Sequence, residues 1–150
     1  MLQLSNAVKD FDPLILVGET VCRDYIDFFV NKPIILHGIQ HFGSEGGNYT
    51  VSIEVKDATD VSSLVKRSGS YASKKDKNCS YYGFCVQFDQ PVCFAENKEY
   101  QLESFTKGPM PWYGIDGQTS VECKGVVFTF SQTRGQFPVL VWSARRRSTI

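Results

Sequence analysis

The sequence has no surplus of charge of either sign: Lys and Arg together number 16, and so do Asp and Glu. Binding along a phosphate backbone leans on an excess of Lys and Arg, so the balance argues against a nucleic-acid partner. Long apolar runs are also missing, and no stretch approaches the roughly 20 residues needed to span a bilayer. The opening, Met1 to Asp10, lacks a basic stretch followed by a long apolar one, so no secretory signal is expected and a cytoplasmic setting is. The five cysteines, Cys22, Cys79, Cys85, Cys93 and Cys123, are odd in number and contain no Cys-x-x-Cys pair. Free thiols in a reducing compartment are expected, packing as small apolar groups. The sequons at Asn48 and Asn78 carry little weight without a secretory signal. No P-loop, dinucleotide fingerprint or Gly-x-Ser-x-Gly elbow occurs.

What the sequence does have is apolar and aromatic residues in alternation. Hydrophobic residues make up 42% and aromatics 13% of the 150 residues, enough for one domain with a real core and no staples. Tyr49, Val51, Ile53 and Val55 alternate with Thr50, Ser52, Glu54 and Lys56. That is the period of a strand with one face in the core and one in water. Tyr82, Phe84, Val86 and Phe88 repeat the pattern, as do Val126, Phe128 and Phe130, and Phe137, Val139 and Val141. Ile26, Phe28 and Val30 form another strand, followed by Pro33 to Leu36, with shorter candidates at Leu14–Val17, Val92–Phe94 and Tyr100–Ser104. Turn residues punctuate these runs: Gly43 to Gly47, Asp89-Gln90-Pro91, Glu96-Asn97, Gly108-Pro109, Asp116-Gly117 and Gly135-Gln136. Many short strands joined by turns predict an all-β fold, an antiparallel sandwich or barrel. One helical turn is expected within Thr59–Lys66, and a solvated basic loop from Ser68 to Ser80.

Few residues offer catalytic chemistry. His37 and His41 are the two histidines; four residues along a strand separate them by about 13 Å, too far to share one ion at about 2 Å from each. A Cys nucleophile paired with one of them is a rival reading to which no spacing points. The segment Lys107 to Gly117 is more informative. Its two prolines and three glycines exclude a regular core strand, yet it carries Met110, Trp112, Tyr113 and Ile115. Large apolar side chains on a loop either plug the end of a sandwich or face a partner, and Trp, Tyr and Met are enriched at interface cores. Both readings stay open, with Met110, Pro111, Trp112 and Tyr113 as candidate partner-binding residues. A carbohydrate-binding sandwich is a further rival that Trp112 and Tyr113 would suit.

The pattern Ile35-x-x-Gly38-x-x-x-x-Gly43-x-x-x-Gly47-x-Tyr49-x-Val51-x-Ile53 resembles the early core of a PHR domain, the family named for the PAM/Highwire ubiquitin ligases. The likeness continues in Phe88-x-x-Pro91-Val92, Tyr100, Gly108-Pro109, Tyr113-Gly114-x-x-Gly117 and Gly125-Val126-x-Phe128-x-Phe130, and closes with Gly135-Gln136-x-Pro138. The resemblance implies an antiparallel β-sandwich that binds proteins and carries no catalytic residue, cofactor or metal, with zinc only in a distant RING segment of a parent ligase. It divides the chain into a leading segment and first strand (1–23), a sandwich core (24–142) and the start of a linker (143–150). The family occurs in large RING-type ligases of axons and synapses, and in BTB-domain adaptors of cullin ligases. The departures at Val17 to Cys22 and in the Arg145-Arg146-Arg147 tail resemble the second, divergent copy in the neuronal ligase. That setting is therefore the first expectation, with protein substrates or adaptors of the ligase as partners and the isolated domain monomeric. The BTB adaptor is the alternative.

Overall fold

A computed structural model of the chain describes residues 2–3, 6–8, 20–75, 81–109, 111, 113–115, 119–134 and 139–144. The described elements are strands: β1 (Leu2–Gln3), β2 (Asn6–Val8), β3 (Thr20–Val30), β4 (Ile34–Phe42), β5 (Asn48–Asp57), β6 (Ser63–Ala72), β7 (Lys74–Lys75), β8 (Tyr82–Phe94), β9 (Tyr100–Gly108), β10 (Tyr113–Ile115), β11 (Ser120–Cys123), β12 (Val126–Arg134) and β13 (Val139–Ala144). One sheet has the order β1-β13-β4-β8-β7, a second the order β11-β12-β3-β9-β5-β6, and β10 pairs with β2 in a separate ribbon. Every pairing is antiparallel. The fold is an all-β antiparallel sandwich, as the alternation predicts.

Alternating side chains close the space between the two sheets. Tyr49, Val51, Ile53 and Val55 of β5 are all buried, as are Ile26, Phe28 and Val30 of β3 and Phe84, Val86 and Phe88 of β8. Aromatic pairs join the sheets: Phe28 meets Phe94 edge-on at 5.3 Å, Tyr49 stacks on Phe84 at 5.2 Å, and Phe128 meets Trp142 edge-on at 5.1 Å. Such pairs contribute about 0.5–1.5 kcal/mol each beyond the area they bury.

Four local expectations are corrected. Thr59–Lys66 supplies one turn closed by Val61 N–H donating to the Asp57 carbonyl at 2.9 Å, and β6 begins at Ser63. Leu64 and Val65 are therefore strand residues. Ser68–Ala72 belongs to β6 and Lys74–Lys75 to β7, so the solvated loop does not start at Ser68; hydroxyl and glycine side chains on β6 hide a strand whose pairing comes from β5. Asp89-Gln90-Pro91 does not end a strand either, because β8 runs through it. The register steps from Gly38↔Gln87 to Leu36↔Val92, leaving residues 88–91 opposite His37 alone. Pro91, which lacks an N–H, sits in that bulge where the ladder asks for none. Finally, β13 buries Leu140 fully and leaves Val141 half-buried, the parity opposite to the expected one. With Val139 to Trp142 apolar throughout, alternation cannot choose a face. Leu14–Val17, Phe137 and the turns at Asp116-Gly117 and Gly135-Gln136 lie outside the described residues.

Candidate partner-binding site

The aromatic ring of Tyr49 organises one end of the sandwich. Its hydroxyl accepts the Ser44 N–H at 2.8 Å and donates to Ser44 Oγ at 2.9 Å, tying the loop between β4 and β5 to the core. The glycines of the sequence pattern leave room for this ring. A Cβ on Gly108 would stand 2.5 Å from Tyr49 Cδ1, and one on Gly47 would stand 3.0 Å from its Cε2. A Cβ on Gly43 would strike the Ser73 side chain first, 2.7 Å from its Cβ, with the same Cε2 behind it at 3.3 Å. Gly47, Tyr49 and Gly108 thus form a packing unit, with Gly43 set against Ser73 beside it. Gly38 has a different reason: a Cβ there would strike the Val86 carbonyl across the β4–β8 ladder.

The Pro-rich candidate segment leaves this unit directly. β9 ends at Gly108, Pro109 and Pro111 are half-buried, and the backbone of Tyr113-Gly114-Ile115 forms β10 against Ile115↔Asn6, Gly114↔Ala7 and Tyr113↔Val8. Met110 and Trp112 lie outside the described residues, as do Gly117, Gly135, Gln136 and Pro138. Gly125 closes the β11–β12 hairpin at φ +80°, a backbone conformation that suits glycine. Phe128 is fully buried, and Pro91 is exposed.

Sequence reasoning missed the outer face of the six-stranded sheet. Phe105 is 45% exposed and Val21 71% exposed there. On β9, Leu102, Ser104 and Thr106 face inward, so Phe105 is an aromatic residue on the polar parity, and that mismatch was the available signal. Arg23 lies opposite Phe105 in the ladder, with its guanidinium carbon 5.9 Å from the Phe105 ring centre and 5.4 Å from that of Tyr25. The charges around this patch are layered. Glu103, 9% exposed, accepts from Arg23 Nη2 at 2.5 Å and lies 3.6 Å from Lys56 Nζ. Glu54 is held by Lys56 at 3.1 Å and Lys66 at 3.0 Å. Desolvation works against the Glu54 carboxylate, but hydrogen bonds from Lys66, Lys56 and Ser63 outweigh it and hold its pKa below the usual range. The Glu54 hydrogen bond raises the pKa of Lys56 in turn.

The histidines are used differently from one another. His37 projects near the surface, its Nε2 2.8 Å from Ser143 Oγ. His41 is 3% exposed, with its Nε2 3.1 Å from the fully buried Ser104 Oγ. Loss of solvation lowers the His41 pKa to about 3, so the ring is neutral. A serine beside a neutral histidine has the parts of a nucleophile and base, but both side chains are sealed between the sheets, where no substrate reaches them. Cys22, Cys85, Cys93 and Cys123 are not joined in disulfides, and Cys79 lies outside the described residues. Among the described residues no group of three or more His, Cys, Asp or Glu side chains is arranged to hold a metal ion.

The PHR domain family profile matches residues 18–142. The chain belongs to the PHR domain family. This PHR domain is 27% identical over 132 residues to BTB/POZ domain-containing protein 6-B of Danio rerio, covering 81% of this chain and 27% of that protein. It is 29% identical over 134 residues to BTB/POZ domain-containing protein 6 of Xenopus tropicalis and 28% identical over 134 residues to that of Homo sapiens, covering 81% of this chain and 24% of each. The chain therefore spans about a quarter of the length of the curated relatives it matches. The PHR domain is a protein-interaction domain, and here the PHR pattern residues Gly38, Gly43, Gly47, Tyr49 and Gly108 are explained by packing.

Proposed function

We propose that this PHR domain is the protein-recruiting part of a BTB-type substrate adaptor for a cullin ubiquitin ligase. The observation that supports this is the match over residues 18–142 together with relatives that are BTB/POZ domain-containing proteins. The RING-ligase setting expected first has no counterpart among these relatives, so the adaptor reading replaces it. The domain contributes no chemistry in this scheme; it holds a protein while ubiquitin transfer takes place elsewhere in the assembly.

Specificity in this reading is carried by Met110, Pro111, Trp112 and Tyr113. Both flanks of the segment are anchored, Gly108 against the Tyr49 ring and Tyr113–Ile115 against β2. A loop fixed at both ends presents side chains at a low entropy cost of binding. The test uses the domain as bait, and Trp112→Ala beside it. The expected result is a partner whose cellular level rises when cullin ligases are inhibited. Trp112→Ala should bind it at least about 2 kcal/mol more weakly with nearly unchanged melting temperature, the behaviour of an interface hot spot. An early-melting variant would move Trp112 into the core. Partner levels indifferent to cullin inhibition would refute the adaptor role.

A further inference from the structure

The outer face of the six-stranded sheet sets exposed apolar side chains beside exposed cations. Val21, Arg23 and Tyr25 of β3 share this face with Phe105 and Lys107 of β9. Next to them, Thr50 and Ser52 of β5 pair with Ser70 and Ser68 of β6, giving a floor of small hydroxyl side chains. Two shallow depressions follow that floor. Ser52, Glu54, Lys66, Glu103 and Phe105 line one, and Asn48, Tyr49, Thr50, Ser70 and Lys107 line the other. On β6 their linings stand four residues apart, at Lys66 and Ser70, about 13 Å, which is two same-side steps of an extended peptide.

The charge on the face is asymmetric in depth. The two carboxylates are sunk, Glu103 at 9% and Glu54 at 18% side-chain exposure, and each is already matched by two cations. The cationic side chains stand proud, Arg23 at 50% and Lys66 at 73% exposure, and Lys107 is exposed as well. Arg23, Lys56, Lys66 and Lys107 against Glu54 and Glu103 leave the patch positive. Asp27, further along β3, accepts from Gln101 at 2.9 Å and lies at the far end of the face. An exposed aromatic ring inside a positive rim is complementary to an apolar side chain inside a negative one.

We propose that this face docks an extended acidic segment of a partner protein, an apolar side chain resting on Phe105 and carboxylates meeting Arg23, Lys66 and Lys107. The inference rests on the protein-recruiting reading of the domain and adds to it a surface separate from the Met110–Tyr113 segment. Phe105 and Val21 supply the desolvated centre, and the cations supply orientation and encounter rate.

The test is an amide-resolved NMR titration of the intact domain with a short synthetic peptide carrying Asp and Glu around a central Leu-Phe pair. Its Asn and Gln counterpart is the control. The expected result is that the acidic peptide shifts the amides of Val21, Arg23, Phe105 and Lys107, that the neutral peptide binds at least about tenfold more weakly, and that added salt weakens the acidic complex. Phe105→Asn and Lys107→Glu, both at exposed positions, should each lower affinity by about tenfold or more while the domain keeps its fold by circular dichroism. Equal binding of the neutral peptide, no shift at millimolar peptide, or shifts confined to other surfaces would overturn the proposal. The same two variants applied to the partner captured by the domain separate the two readings. Capture unchanged by Phe105→Asn and Lys107→Glu but lost in Trp112→Ala refutes this face and leaves the recruiting role standing.

Discussion

The buried imidazole of His41 makes the stability of the domain depend on pH in a specific window. In the unfolded chain a histidine takes up its proton near pH 6.5. In the folded domain His41 resists until about pH 3, because its ring is 3% exposed and packed 5.2 Å from the Phe84 ring. Between these values the unfolded state binds the extra proton, so stability is full above about pH 6.5 and declines as pH falls. The slope is about 1.4 kcal/mol per pH unit for one proton, and going from about pH 7.5 to about pH 5 costs about 2 kcal/mol. For a domain with a typical 5–15 kcal/mol of stability, roughly a seventh to two fifths of it is lost. Urea unfolding across that range, on the wild type and on His41→Gln, measures it. The variant is expected to be less stable at neutral pH, having lost its fit beside Ser104, yet to lack about 2 kcal/mol of the wild-type pH dependence. The carboxylates Glu54 and Asp57 do not mimic this, because hydrogen bonds place their folded pKa values below the usual range and their losses come at lower pH. An identical slope in the variant, or an NMR titration of the folded His41 ring near pH 6.5, would refute the reasoning.

Phe128 is fully buried and meets Trp142 edge-on, so Phe128→Ala should cost about 3–5 kcal/mol in denaturant melts; a loss below about 1 kcal/mol would place it outside the core. Tyr49→Phe keeps the ring and removes both bonds to Ser44; the expected cost is about 1–2 kcal/mol, with faster hydrogen exchange of the Ser44 amide, and unchanged exchange there would show that the hydroxyl does not hold the loop. Thiol counting under denaturing, non-reducing conditions should find all five cysteines free, Cys79 included, whereas three or one would reveal a disulfide.

The strands most legible in the sequence are those whose two faces differ in polarity. β5 places Tyr49, Val51, Ile53 and Val55 inward as written, because Thr50, Ser52, Glu54 and Lys56 leave no other choice. β13 fails the same test, since Val139, Leu140, Val141 and Trp142 are apolar on both parities and a bulge at Val141/Trp142 resets the register. β6 is hidden by Ser68, Gly69 and Ser70, residues that read as loop; it is the ladder with β5, which the sequence does not display, that makes them a strand. The candidate site is split in the same way. The glycine pattern around Tyr49 is visible in one dimension, but its reason, room for one ring approached from residues far apart in the chain, requires the folded backbone. Phe105 was overlooked because one aromatic residue out of phase carries little weight until its neighbours Arg23, Glu103 and Val21 are seen on the same face.

The two-residue strand β7 consists of Lys74 and Lys75, and among the described residues it forms one border of the five-stranded sheet. A sheet border is an open invitation to any other extended chain, including another copy of the same protein. At β7, which pairs with Tyr82 and Gly83 of β8, the border carries like charge, so two copies approaching there would bring ammonium groups of the same sign together before a ladder could form. The two lysines thus work against self-pairing at this point of the border. Removing the two positive charges would be expected to show up as self-association in concentrated solution, with the fold and partner affinity of the single domain intact.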